Sequence, residues 1–124
     1  MNSVIFLEVD FVCEVQSSIL KNAPSRDKGM VDSALNRVLN KFTYEGVNDL
    51  FQLAAMYLIS LSKAHAFPDA NKRTDFMSTF IFLKMNGVCL QNDFEQLIEI
   101  TLDAASKNMS YVEIAERLHS LKEM

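Results

Sequence analysis

The sequence predicts an all-α fold, a compact bundle of about six helices forming one domain over residues 1–124. Three observations carry that expectation. Apolar residues recur at helical spacings through most of the chain, Pro and Gly residues punctuate the stretches between them, and Ser110-Tyr111-Val112-Glu113 has the form of a capping box.

Asp10 is placed to cap a first helix carrying Phe11, Val12, Val15, Ile19 and Leu20, with Asn22-Ala23-Pro24 as its stop. Ser25, Arg26, Asp27 and Lys28 then form a polar connection up to Gly29. A second helix is signalled by Met30, Ala34, Leu35, Val38 and Leu39, and it fades near Phe42. Residues 43–48, with Gly46 among aromatic and β-branched neighbours, read as a short turn or a small extended flap. Asn48 or Asp49 starts a third helix with Leu50, Phe51, Leu53, Ala54, Tyr57, Leu58 and Leu61; it is apolar nearly all round and so is expected to be central and buried.

Pro68 disfavours helical geometry in the residue before it, so the third helix must end by Phe67. A fourth runs from about Asn71 to Asn86, with Phe76, Met77, Phe80, Ile81, Leu83 and Met85 inward and Gly87 as its stop. Asp93 opens a fifth with Phe94, Leu97, Ile98, Ile100, Thr101 and Leu102, and the capping box opens a sixth with Ile114, Ala115, Leu118 and Leu121.

Composition narrows the function classes. With 124 residues, 49% of them hydrophobic and 23% charged, the chain can bury a core without disulfide or metal support and does not read as disordered. A formal net charge of −4 argues against direct nucleic-acid binding through a basic surface, which makes local clusters of cations the informative ones. Cys13 and Cys89 are far apart and lack C-x-x-C spacing, so they read as small buried apolar residues of a reducing compartment. Val4-Ile5-Phe6-Leu7 is too short for a signal sequence and no apolar stretch is long enough to span a membrane, which together imply a cytoplasmic protein.

One segment does not read as core. His65-Ala66-Phe67-Pro68-Asp69-Ala70-Asn71-Lys72-Arg73 lies between two strongly apolar helical stretches and concentrates an imidazole, a carboxylate, an amide and two cations. A loop entering a helix N-terminus offers free backbone N–H groups and the positive end of the helix dipole, a combination that favours bound phosphate. Asn71, Lys72 and Arg73 would add an amide donor, a point charge and a guanidinium fork. His65 has the side chain suited to abstracting a proton near neutral pH, and Asp69 offers the hard oxygen ligand that phosphate-bound Mg²⁺ requires. Each residue also has a structural reading: Asp69 as a helix cap, Pro68 as turn chemistry, Lys72 and Arg73 as a solvated first turn, His65 as a packed imidazole. Cations at a helix N-terminus oppose the dipole, however, so stability alone would prefer acids at Lys72 and Arg73. His119, on the polar side of the last helix, is assigned no role.

The string HAFPDANKRT resembles the motif of the Fic/Doc family, broadly H-x-F-x-[D/E]-[G/A]-N-[G/K]-R, and within it the death-on-curing (Doc) branch, where Lys replaces the second Gly. Ser25-Arg26-Asp27-Lys28-Gly29-Met30-Val31-Asp32-Ser33-Ala34-Leu35 is similar to the family's R-D-x-G-L-L-E-S-A-L segment, and Phe82-Leu83-Lys84-Met85-Asn86-Gly87 to its F-L-x-x-N-G ending. The resemblance implies an all-helical fold and transfer of a phosphate-containing group from ATP, with Mg²⁺, to a protein hydroxyl. His65 would be the general base, Phe67 the anchor of the loop, Asp69 the Mg²⁺ ligand, and Asn71, Lys72 and Arg73 the phosphate ligands, with Lys63 as a further cation.

Lys72 stands where the Fic form has a small Gly, Phe76 replaces that form's second Arg, and Met77 occupies a position where Doc-like proteins can carry a polar Asn. The first two departures fit the Doc-like case, in which the γ-phosphate is transferred rather than AMP. The resemblance therefore implies a toxin kinase acting on a hydroxyl of a translation factor, elongation factor Tu or one like it, to arrest translation. AMP transfer and a non-catalytic, antitoxin-binding protein are the alternatives. Self-inhibited Fic proteins carry [S/T]-x-x-x-E-[G/N]; here Glu45-Gly46 is preceded four residues earlier by Lys41, so a separate antitoxin is the expected brake. It would lay an amphipathic segment into an apolar groove.

Overall fold

The computed structural model describes residues 4–19, 28–64, 72–106 and 108–123. Among them are six helices and no strand: α1 (Val9–Ile19), α2 (Lys28–Glu45), α3 (Leu50–Ala64), α4 (Lys72–Met85), α5 (Phe94–Ser106) and α6 (Tyr111–His119). The all-α expectation is met.

The axis of the assembly is α3. Asp49 caps it, its Oδ1 accepting from the Gln52 N–H at 3.0 Å. Residues 53–58 are buried without interruption, as are Ser60, Leu61 and Ser62, because α2, α4, α5 and α6 all pack against this helix. The expected central helix is therefore the one observed, less covered only at its ends and at Ile59.

The other helices each turn one face inward. In α2 that face is Val31, Ala34, Leu35 and Val38, whereas Met30 and Leu39, expected inside, are exposed. The helix also runs on through Glu45, so residues 43–45 are helical and the small extended flap is not formed. Gly46, at φ +70°, ends it, and the Val47 N–H donates back to the Lys41 carbonyl at 3.2 Å. Asp10 lies in the first turn of α1, where its charge favours the dipole, and the helix begins two residues earlier than an Asp10 cap requires. In α5 the buried positions are Leu97, Ile100, Thr101 and Ala104; Phe94, Ile98 and Leu102 face out. In α6 the capping box is present, with Ser110 Oγ accepting from the Glu113 N–H at 3.2 Å, and Ile114, Ala115 and Leu118 are buried as expected. His119 is exposed, its ring meeting Phe51 edge-on at 4.8 Å.

Two devices fasten the chain around α3. Gly87, at φ +86°, closes α4: its N–H donates to the Lys84 carbonyl at 3.0 Å and the Val88 N–H to the Leu83 carbonyl at 2.8 Å. These are the paired bonds of a Schellman motif, and they need a residue that tolerates positive φ. Asn86 then reaches the N-terminal stretch, its Oδ1 accepting from the Ile5 N–H at 2.8 Å and its Nδ2 donating to the Ile5 carbonyl at 2.9 Å. The Asn-Gly pair that ends the third resembling segment is thus structural, one residue stopping a helix and the other holding the chain start. At the other end, the Glu123 N–H donates to the Cys89 carbonyl at 2.8 Å. Cys13 is buried as expected; Cys89 is exposed, its neighbour Leu90 turning into the core while the backbone there pairs with the C-terminal stretch. No helix among the described residues is long and apolar enough to cross a membrane.

The second device is Tyr57, 1% exposed at the middle of α3. Its ring meets Phe82 edge-on at 4.8 Å, and its hydroxyl accepts from the Leu7 N–H at 3.1 Å. Burial pushes the phenol up to about 12 from 10.0, with the Leu7 bond opposing the shift. A proton held more tightly in the folded state stabilises it fully below the unfolded value, and that contribution is lost as pH rises from 10.0 through about 12. Tyr57→Phe should therefore unfold with about 1–3 kcal/mol less stability at neutral pH, since the Leu7 N–H loses its acceptor. The deficit should narrow between pH 10.0 and 12. Urea titrations of both proteins across that range check this, and a deficit constant with pH would contradict it.

Candidate active site

The segment singled out in the sequence departs from the C-terminal end of α3 and enters the N-terminal end of α4. His65, Phe67, Asp69 and Asn71 lie outside the described residues, so the structure reports on what flanks them. Lys63 is in the last turn of α3 and is exposed. Lys72 is the first residue of α4, and Arg73, exposed, is the second. Both sit at the positive end of a 14-residue helix, so the electrostatic conflict expected from the sequence is present. Neither Lys63 nor Arg73 makes an ion pair with any described residue. An unpaired cation, Arg73, in the first turn of a helix whose opening N–H groups lack helical partners is a charge pattern that suits an anion.

Sequence periodicity pointed to the apolar side of α4 and missed what lies between it and α3. Phe76 and Leu83 are buried as expected, but Met77, Phe80, Ile81 and Met85 are only half-buried. The fully buried positions include Phe82 and a polar stripe of Thr74, Asp75, Ser78 and Thr79. The spacing of that stripe, at i, i+1, i+4 and i+5, marks a single helical face and is the signal that was available. Ser62, buried in the last turns of α3, donates from Oγ to Asp75 Oδ2 at 3.3 Å, and Thr79 Oγ1 donates to the Asp75 carbonyl at 3.0 Å. Thr74 Oγ1 and Ser78 Oγ have no partner among the described residues.

The Ser62–Asp75 bond joins the two stems of the segment, one residue lying three positions before His65 and the other four positions after Asn71. A bond there fixes the separation of the points from which the intervening chain must start and finish. Asp75 also lies in the first turn of α4, where a carboxylate balances part of the charge that Lys72 and Arg73 bring to that end. Among the described residues there is no group of three His, Cys, Asp or Glu side chains arranged to hold a metal.

Asp75→Ala should cost about 1–3 kcal/mol in urea unfolding, because it leaves the buried Ser62 hydroxyl without its acceptor. Combined with Ser62→Ala, the two losses should fall short of additive by more than about 0.5 kcal/mol. Strict additivity would show that the bond does not couple the stems.

Comparison with known proteins agrees with this arrangement. The model of the Fic/DOC family matches residues 6–83, a span that contains both stems and everything between them. The chain is 37% identical over 95 residues to "Protein kinase doc" of Escherichia phage P1, covering 77% of this chain and 75% of that protein. It is 41% identical over 73 residues to "Toxin Doc" of Mycolicibacterium smegmatis, covering 56% of this chain and 55% of that protein.

Proposed function

The chain belongs to the Fic/DOC family, and from that premise we propose that it is a Doc-like toxin that transfers the γ-phosphate of ATP to a Ser or Thr hydroxyl of a protein. The observation that carries the reading is Lys72 as the first residue of α4. A long cation at the position where the Fic form has a small Gly obstructs the close backbone approach that form makes to phosphate. It also supplies a charge for a terminal phosphoryl group.

In this reading His65 takes the proton of the accepting hydroxyl. The hydroxyl oxygen bonds to the γ-phosphorus as the bond from that phosphorus to the bridging oxygen breaks, and ADP leaves with the electron pair of that bond. Asn71, Lys72 and Arg73 hold the phosphate oxygens together with the N–H groups that open α4, and Lys63 adds positive charge from the end of α3. Asp69 would hold Mg²⁺, which neutralises phosphate charge when bound. Phosphoryl transfer requires mainly positioning and charge compensation, and two helix ends tied by Ser62 and Asp75 suit that requirement. The protein substrate is a translation factor, elongation factor Tu or one like it, and a cognate antitoxin restrains the enzyme in a reducing, cytoplasmic setting.

ATP labelled separately at the α and γ positions tests the reaction. Label should reach the acceptor protein from the γ position only, and transfer from the α position would mean AMP transfer instead. Growth arrest on expression should disappear with His65→Ala; arrest that persists unchanged would point to a non-catalytic binding protein. Asp69→Ala should weaken Mg²⁺-dependent ATP binding at least about tenfold, about 1.4 kcal/mol, in calorimetry. Unaltered affinity would remove Asp69 from the metal role.

A further inference from the structure

A cavity of about 440 Å³ opens beside the last turns of α3, outside the motif and its stems. Met56, Ile59 and Ser60 form its floor, and Met109 and Tyr111 close one end. Its opposite wall is one face of α2, where Arg37, Asn40, Lys41 and Glu45 follow at i, i+3, i+4 and i+8. The volume is within the range of ligand pockets, and the floor is apolar and partly thioether, a surface that adapts to varied side chains.

This wall carries two cations and one carboxylate, in a chain that carries −4 overall. Lys41 is already balanced, with its Nζ 3.0 Å from Glu45 and 5.9 Å from the centre of the Tyr111 ring. Arg37 is exposed and makes no ion pair or hydrogen bond with any described residue. The pocket therefore presents one uncommitted guanidinium fork over an apolar floor, the pairing that suits a carboxylate next to a large apolar side chain.

Position indicates what would bring such a group here. Met56, Ile59 and Ser60 share a face of α3 with Lys63. Four residues separate Ser60 from Ala64, the end of α3, a rise of about 6 Å that about two residues of extended chain would cover. We propose that this pocket binds an acidic and apolar segment of the protein substrate lying a few residues from the accepting hydroxyl. Arg37 pairs with its carboxylate, and the Met56, Ile59 and Met109 surface takes its apolar side chain. This assignment rests on the phosphotransfer reading above and makes Arg37 a determinant of substrate choice rather than a catalytic residue.

Methionine-methyl NMR of the full chain, labelled with ¹³C at methionine, tests this. The probes are two short peptides, each with a single threonine and, a few residues away, either Asp-Phe-Glu or Lys-Phe-Lys. The acidic peptide should shift the Met56 and Met109 methyl signals, leave those of Met30 and Met85 in place, and bind at least about tenfold more tightly than the basic one. Arg37→Glu should lose that preference and Arg37→Lys should retain part of it, with far-UV circular dichroism confirming that both variants fold. Equal response to both peptides, or shifts that bypass Met56 and Met109, would overturn the assignment. Transfer of γ-label to the threonine is measured on the same samples. Selective binding without transfer would refute the kinase reading and leave the pocket standing, whereas transfer without selective binding would refute the pocket alone.

Discussion

Burial of α3 on nearly every side is the constraint on which the rest of the structure depends. Its side chains from Leu53 to Leu58 meet four other helices, so the lateral surface of this helix is almost entirely consumed by packing. A helix in that situation can present chemistry only at its ends or along a flank its neighbours leave uncovered. Its C-terminal end leads into the segment with the imidazole, carboxylate and cations. Its less covered flank, at Ile59, faces the cavity beside α2. Both features follow from one packing arrangement, and the Leu7, Tyr57 and Phe82 contacts hold that arrangement to the start of the chain.

The second feature of consequence is the polar seam between α3 and α4. An apolar interface would have been the simpler way to join two buried helices, since buried hydroxyls and carboxylates gain little net energy even when bonded and cost more when they are not. Here Ser62, Asp75 and Thr79 share directional bonds, while Thr74 and Ser78 are buried without a described partner. Directional bonds specify distance and register more narrowly than apolar contact does. Their position puts that precision at the two stems of the motif, where the proposed phosphate would be held.

Electrostatics separates the regions of the surface by task. The chain is acidic overall, yet Lys63, Lys72 and Arg73 gather at the facing ends of α3 and α4, and Arg37 stands over the neighbouring pocket. Among the described residues Arg73, at the N-terminus of α4, and Arg37, on α2, make no ion pair. Cations within an acidic surface concentrate anions locally without making the whole protein adhere to polyanions.

The sequence by itself determined the helical architecture, the centrality of α3, the caps at Asp49, Asp93 and Ser110, the stop at Gly87, and the location of the motif between two helices. Each is a local or periodic property: an apolar surround, a side chain bonding its own backbone, a residue that tolerates positive φ. Tertiary structure alone decided which of several apolar stripes turned inward. Phe82 rather than Phe80 is fully buried, and Phe94, Ile98 and Leu102 were left outside, because a helix contacted on two sides has more than one acceptable rotation. It also paired Ser62 with Asp75 across the motif and placed Arg37 opposite Ile59. Residues far apart in the chain meet only when the packing of whole helices sets their distance, and no spacing along one helix encodes that.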